Sequence, residues 1–156
     1  MSVATVRAFL APFNLGDRIR TFDVSSATVS LAAQALGVEE ARIAKTLAFR
    51  KKDGSTLLVC TAGDTKVDNK CYKAEFGMKA RMLSGEEALL ETGFAIGGVC
   101  PFVKAEHIEI VLDRSLERFD TIYPAAGDSA SAVILSCEEL EKVTGGRWAT
   151  VCTVLP

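Results

Sequence analysis

The chain has 156 residues, 49% of them apolar and 24% charged, with 18 basic against 20 acidic side chains. That length fits one domain over residues 1–156, and that composition excludes a disordered or fibrous chain. A formal charge of −2 excludes a uniformly basic nucleic-acid coat but leaves room for a local basic groove.

Val3, Val6, Phe9, Leu10 and Phe13 recur at helical spacing and predict an N-terminal helix ending near Asn14-Leu15-Gly16. Arg18 to Val24 reads as a short strand. Ser25-Ser26 then offers a cap to a helix carrying Val29, Leu31, Ala32, Ala35 and Leu36, which Gly37 ends by taking the left-handed conformation. Val38 to Ile43 predicts a helical turn, and Thr46 to Arg50 a strand. Asp53-Gly54 is a hairpin signal leading to a second strand, Thr56 to Cys60. After a turn at Ala62-Gly63-Asp64, Asp68 can cap a helix running to Phe76 and closed by Gly77. Lys79 to Leu83 reads as a weak short strand.

Ser84 and Glu87 have capping-box spacing, so a helix is expected from there to Thr92-Gly93. Gly97-Gly98-Val99-Cys100-Pro101 must be a loop. Strands follow at His107–Leu112, Asp120–Ala125 and Ala132–Leu135. A second capping box, Ser136 to Glu139, opens a helix to Thr144-Gly145, and Trp148 to Val154 supplies a last strand. The irregular order of about seven strands and four or five helices, with hairpin neighbours, implies a mixed sheet rather than a doubly wound one.

No segment approaches the about 20 apolar residues needed to span a bilayer. The first apolar run, Val3 to Phe13, is broken by Arg7 and Pro12 and lacks the build of a secretory signal, so no membrane association and a cytoplasmic location are expected. The five cysteines, at 60, 71, 100, 137 and 152, form no CxxC, and His107 is the one histidine that could join them. No metal site is expected, and the odd count suits a reducing compartment with cysteines acting as small buried hydrophobes.

Charge is unevenly spread. Arg42 to Arg81 holds 10 basic and 4 acidic residues, whereas Glu86 to Glu141 holds 3 basic and 12 acidic. Two readings stand open: two solvated faces of one domain, or a side built by the middle of the chain to face a polyanion.

No G-x-G-x-x-G, P-loop, H-E-x-x-H or G-x-S-x-G is present, so no cofactor is expected. Lys45, at the mouth of a strand among small apolar residues, is either a partly enclosed cation for phosphate, carboxylate or a developing oxyanion, or a stem reaching to solvent. The Gly97–Pro101 loop is either a plain turn or a wall whose main chain meets a ligand. Ala126-Gly127-Asp128-Ser129 poses the same choice. Cys100 and His107 suggest a cysteine nucleophile, which would need contact, a depressed thiol pKa and an orienting third group. Thr61, Lys66, Lys70 and Lys73 are either surface groups or the lining of a nucleic-acid end.

Taken together, Ile43-Ala44-Lys45-Thr46-Leu47, Gly63-Asp64 with Val67-Asp68, Thr92-Gly93, and Gly97-Gly98-Val99-Cys100-Pro101-Phe102 resemble the YbaK/EbsC family, relatives of the editing domain inserted in bacterial prolyl-tRNA synthetase. Phe119-Asp120-Thr121-Ile122-Tyr123, Ala126-Gly127, Ile134-Leu135 and Glu139-Leu140 continue the resemblance over nearly the whole chain after the first helix. It implies a compact α/β fold with a mixed, partly barrel-like sheet and surrounding helices. It also implies hydrolysis of aminoacyl esters wrongly attached to tRNA, with Cys-tRNA(Pro) or another small aminoacyl-tRNA as substrate. The implied partners are misacylated tRNA, with tRNA(Pro) foremost, and prolyl-tRNA synthetase.

By the same resemblance, Lys45, Gly97 and Gly98 carry the catalytic roles. Thr46, Thr61, Val99, Cys100, Pro101, Gly127, Asp128 and Ser129 contact the substrate. Thr46 after the lysine resembles the cysteinyl-tRNA(Pro) branch, where alanine-specific editors more often carry asparagine. Cys100 stands where a serine is common, which leaves side-chain specificity open. Two other functions compete: a non-catalytic module binding a tRNA end or a synthetase, and a cysteine-dependent hydrolase of a small metabolite.

Overall fold

The computed structural model describes residues 2–104 and 106–156. Among them are five α-helices: α1 (Val3–Leu10), α2 (Val29–Leu36), α3 (Asn69–Phe76), α4 (Gly85–Thr92) and α5 (Cys137–Thr144). The strands are β1 (Ile19–Thr21), β2 (Ile43–Arg50), β3 (Thr56–Ala62), β4 (Thr65–Val67), β5 (Ile108–Asp113), β6 (Tyr123–Pro124), β7 (Ser131–Val133), β8 (Arg147–Ala149) and β9 (Cys152–Val154). No helix among the described residues is long and apolar enough to cross a membrane.

The hairpin at Asp53-Gly54 sets the register of the central pair. Gly54 takes φ +87°, and β2 runs antiparallel to β3 from Arg50↔Thr56 back to Ala44↔Ala62. β5 adds to β3 in parallel, β8 to β5 in parallel, and β6 to the start of β2 in parallel, giving the order β6-β2-β3-β5-β8. Single bridges Ile122↔Leu135 and Ala125↔Ala132 carry pairing from the β6 region to β7, and β7 pairs antiparallel with β1. The mixed sheet with surrounding helices expected from the sequence is the fold observed.

β3 is buried at every residue because both faces of the sheet are covered. On one face Ala44, Ala48, Leu58, Cys60 and Ala62 join a large core that includes Val6 and Leu10 of α1, Ala88 of α4 and Leu140 of α5. On the other, Phe49, Leu57, Val59 and Val111 form a smaller core closed by Tyr72 of α3, whose ring lies 5.1 Å from that of Phe49. Period-two alternation along β2 and β3 separates the two sets.

The helix ends follow local chemistry. Both capping boxes form: the Ser84 hydroxyl accepts from Glu87 N at 3.1 Å, and Ser136 does the same from Glu139 N at 3.1 Å. Asp68 caps α3 by accepting from Cys71 N at 3.0 Å. The cap of α2 is Thr28, not Ser25 or Ser26; its hydroxyl accepts from Leu31 N at 3.1 Å. Ser26 lies too early to cap and ties to a distant loop, with its amide and hydroxyl both donating to the Ser129 carbonyl.

Three strand expectations need correcting. Lys79–Leu83 supplies only the single bridge Phe49↔Met82. The strand expected over Asp120–Ala125 shortens to two residues, because Pro124 has no N–H to give a ladder. Trp148–Val154 divides into β8 and β9. Asp113, 1% exposed at the end of β5, accepts from Val151 N at 2.7 Å and Cys152 N at 2.9 Å and turns the chain from the main sheet to an antiparallel pairing with β4. All five cysteines are free thiols.

Candidate functional site

The site begins at a gap in strand pairing. On the outer edge of β2, β6 covers Ile43 and Ala44, and further on Leu83 N donates to Ala48 O while Arg50 N donates to Arg81 O, each at 2.9 Å. Between them no strand among the described residues covers positions 45–47. Ala48 and Arg50 turn their peptide groups outward, so the two-residue period points the Thr46 N–H and C=O outward too. A cavity of about 350 Å³ lies against this bare edge. That size is within the range of small-ligand sites.

Lys45, Thr46 and Leu47 form one wall of the cavity, and Val29 and Ala32 of α2 another. Gly97 and Val99 line it from the glycine loop, Gly85 and Ala88 from α4, Tyr123 and Ala125 from the β6 region, and Ser131 and Ala132 from β7. The residues that converge here are separated by up to 106 positions in the chain (Ser26 to Ala132).

The Lys45 ammonium donates to the Thr65 carbonyl at 2.5 Å, which leaves two of its three N–H groups for a ligand. Burial pulls its pKa below the usual lysine value, while Cys152 and the Asp64 carboxylate oppose that pull. Asp64 is held by Arg118 at 2.7 Å, which keeps the carboxyl below the usual range. Lys45 is therefore a half-buried cation with no ion pair among the described residues. This environment makes its charge count for more than it would in water.

The loop after α4 is shaped by close main-chain contact. Gly97 takes φ +90°, and a Cβ there would lie 3.1 Å from the Ala27 Cβ and 3.2 Å from the Ser129 Cβ. Gly98 lies against the Gly127 carbonyl, where a Cβ would come within 2.7 Å, and against Asp128 main chain at 2.8 Å. The 127–129 loop thus backs the glycine wall. Gly127, Asp128 and Ser129 do not line the cavity, and neither does Gly98. Asp128 accepts from Ala130 N at 2.9 Å and so closes its own turn. Because the atoms facing Gly98 are backbone, Gly98→Ala is expected to force the two loops apart and cost about 1–3 kcal/mol, read as a lowered thermal midpoint.

Other residues singled out from the sequence lie elsewhere. Thr61 is buried under β4, its hydroxyl 2.8 Å from that of Thr65 and 3.2 Å from that of Ser115. Cys100 and Pro101 are buried behind the loop, with the Cys100 thiol pushed up to about 12 by burial. His107 instead faces Glu91 at 3.3 Å on the surface. A thiol held protonated near neutral pH is a poor nucleophile, which removes the physical basis for pairing Cys100 with His107.

The basic segment resolves into two groups. Arg50 pairs with Glu87 and Glu91, Lys51 with Glu109 and Arg42 with Glu39. Lys66 on β4 and Lys70 and Lys73 on α3 meet no carboxylate within ion-pair distance among the described residues. Sequence reading missed Val29, Ala32, Tyr123 and Ser131 as cavity residues. The first two read as the core stripe of an amphipathic helix. Ser131 opens a three-residue strand with no local sign of what it faces.

A family model described as "Aminoacyl-tRNA editing domain" matches residues 24–143. The "Uncharacterized protein YwhH" of Bacillus subtilis is 45% identical over 153 residues, covering 97% of this chain and 98% of that protein. EbsC of Enterococcus faecalis, which its name proposes to be a Cys-tRNA(Pro)/Cys-tRNA(Cys) deacylase, is 26% identical over 78% of this chain and 74% of its own. A crystal structure described as that of a proposed trans-editing enzyme for prolyl-tRNA synthetase superposes with a TM-score of 0.88 at 28% identity, over 97% of this chain and 96% of that one.

Proposed function

The chain belongs to the aminoacyl-tRNA editing domain family, and from that premise we propose that it is an aminoacyl-tRNA deacylase that hydrolyses the ester of a small amino acid wrongly attached to tRNA, with Cys-tRNA(Pro) the leading substrate. The observation that carries this reading is the shared cavity. Lys45 and Gly97 stand on walls of one recess about 350 Å³ in volume, whose lining also includes the small apolar Val29, Ala32, Ala44, Ala48 and Ala88.

The ester carbonyl needs only a positioned water, because the ester is already activated. Water adds to the carbonyl carbon, the carbonyl oxygen takes up negative charge, and the ester bond to the terminal ribose breaks. The released ribose oxygen takes a proton, leaving a free amino acid and an uncharged tRNA. Lys45 supplies the cation nearest this developing charge or the adjoining phosphate. The Gly97 peptide and the outward Thr46 peptide fix the acyl group. A ribose hydroxyl of the substrate orients the attacking water, so no protein nucleophile is required. Val29, Ala32 and Ala88 exclude large side chains; ranking similar small ones is harder, since one methylene changes binding by only about 1–3 kcal/mol.

Lys66, Lys70 and Lys73 give the acidic chain a local surface for RNA phosphates, which predicts binding that weakens as salt rises. The deciding experiment incubates the protein with Cys-tRNA(Pro), Ala-tRNA(Pro) and a seryl-tRNA, with and without prolyl-tRNA synthetase. Ester loss above buffer on at least one is expected. Salt-sensitive RNA binding by folded protein without ester loss on any of them would instead make the chain a binding module.

A further inference from the structure

Asp64 and Arg118 lie outside the cavity lining, yet they bear on the charge of Lys45. Asp64 sits in the turn between β3 and β4, immediately before Thr65, whose carbonyl holds the Lys45 amine. It is the one carboxylate among the described residues whose charge acts on that amine. The other group acting on it, the Cys152 thiol of β9, is pushed up by burial and stays neutral at neutral pH. The Asp64 carboxylate nevertheless pairs with Arg118 and not with Lys45.

Arg118 ends the 3-10 turn Arg114–Arg118, and its fork takes both carboxylate oxygens: Nη2 donates to Oδ1 at 2.7 Å and Nη1 to Oδ2 at 3.1 Å. The fork is itself fixed. Its Nε donates to the Ser115 carbonyl at 2.8 Å, and the guanidinium lies 4.8 Å from the centre of the Phe119 ring, against which Arg42 also packs at 4.9 Å. Neighbouring acids are engaged elsewhere: Glu117 with Arg114, and Asp113 with the amides of Ser115, Val151 and Cys152. The main chain of Asp64 is also held, since its carbonyl accepts from Leu155 N at 2.8 Å. Rotation of the side chain is the freedom left to Asp64, and Arg118 removes it. Both side chains are partly exposed, so the pair adds little stability; its two-point geometry fixes direction instead.

We propose that Arg118 is a positioning residue: by holding both Asp64 oxygens it keeps the carboxylate from closing on the Lys45 amine, which then meets the substrate with its charge and its two free N–H groups. The inference rests on the deacylase reading for the role of Lys45. Held off, Asp64 still helps keep the half-buried amine protonated. In contact it would neutralise that charge and take up a donor. A lysine at position 118 could not hold both oxygens in one plane.

The test measures background-corrected kcat/KM against pH for wild type, Arg118→Met and Arg118→Met/Asp64→Asn, on whichever of Cys-tRNA(Pro), Ala-tRNA(Pro) and a seryl-tRNA the wild type hydrolyses. Arg118→Met keeps the stem and should lose roughly 10- to 100-fold, less than Lys45→Ala. Its alkaline fall in rate should move up by about 1 pH unit, because the freed carboxylate holds the proton on the amine. Adding Asp64→Asn should restore the rate to within about threefold of wild type and bring that fall back. A role in folding alone would not move the alkaline fall, and removing the carboxylate would not cure it. Full activity in Arg118→Met, a loss that Asp64→Asn leaves in place, or an unmoved alkaline fall would each overturn the inference.

A substrate-free measurement separates the clamp from the reading beneath it: NMR titration of the lysine ε-carbons, with Lys45 assigned by its loss in Lys45→Met. The Lys45 pKa should rise in Arg118→Met and fall below that of the wild type in Asp64→Asn. Those shifts without ester loss on any of the three substrates would sustain the clamp and strike the deacylase reading. Hydrolysis by the wild type without those shifts would strike the clamp alone.

Discussion

Lys45→Ala is expected to lower deacylation about 100- to 1,000-fold, the range for removing one preorganised group that meets developing negative charge. Lys45 lines the cavity from the bare edge of β2, and its amine is tethered to the Thr65 carbonyl rather than to a carboxylate. Its charge is thus positioned without being neutralised. Lys45→Arg is expected to fail nearly as badly, because a planar guanidinium cannot take the place of a compact ammonium in a half-buried setting. The check is single-turnover hydrolysis of a misacylated tRNA alongside circular dichroism of each variant.

The same lysine predicts a pH dependence. Burial lowers its folded pKa below the ordinary 10.5, so between those two values the unfolded chain binds more protons than the folded one. Stability contributed by this group therefore rises with pH across that window. Relative to Lys45→Met, which keeps the stem and drops the charge, the wild type should gain stability as pH climbs through it. Lysine-dependent turnover should move the other way, falling as the amine loses its proton. Denaturant melts and background-corrected rates over the alkaline range measure the two trends.

Asp113→Ala is expected to be the most damaging change to stability, at about 3–5 kcal/mol. The buried carboxylate accepts from Val151 N at 2.7 Å, Cys152 N at 2.9 Å and Ser115 N at 3.0 Å. Removing it strands three amide donors, those of Val151 and Cys152 in buried positions. Asp113→Asn retains one oxygen acceptor and should lose clearly less. The damage should also reach the site: β9 pairs with β4 through Thr65↔Val154, and the Thr65 carbonyl holds the Lys45 amine. Urea unfolding gives the first effect, and a raised KM in the surviving folded fraction of Asp113→Asn gives the second.

Much of the fold was readable because it is written in short-range chemistry. The two capping boxes, the Asp53-Gly54 hairpin and the glycine stops at 37, 77, 93 and 145 each depend on residues within a few positions of one another. Sequence does not separate Thr28 from Ser25 and Ser26, because all three are good caps; the distant Ser129 carbonyl engages Ser26 instead. Trp148 to Val154 reads as one strand because every residue in it suits a strand; the break comes from Asp113, 38 positions earlier than Val151. The small strand β4 went unseen because three residues carry too little periodicity to register, and its existence depends on β9.

Sequence alone marked Lys45 and the glycine loop as unusual, since an enclosed lysine and paired glycines have recognisable local costs. It could not tell that Gly97 and Val99 face the cavity while Gly98, Cys100 and Pro101 face the protein, because a non-helical loop has no period from which direction can be read. Nor could it tell that Gly127–Ser129 backs the wall instead of lining it. Residue type determined which groups could do chemistry here, and local spacing determined the helices and the hairpin that carry them. The tertiary fold decided which of those groups share one enclosed space, because strand β2 is left bare at positions 45–47 only where β6 stops and the Met82 bridge has not yet begun.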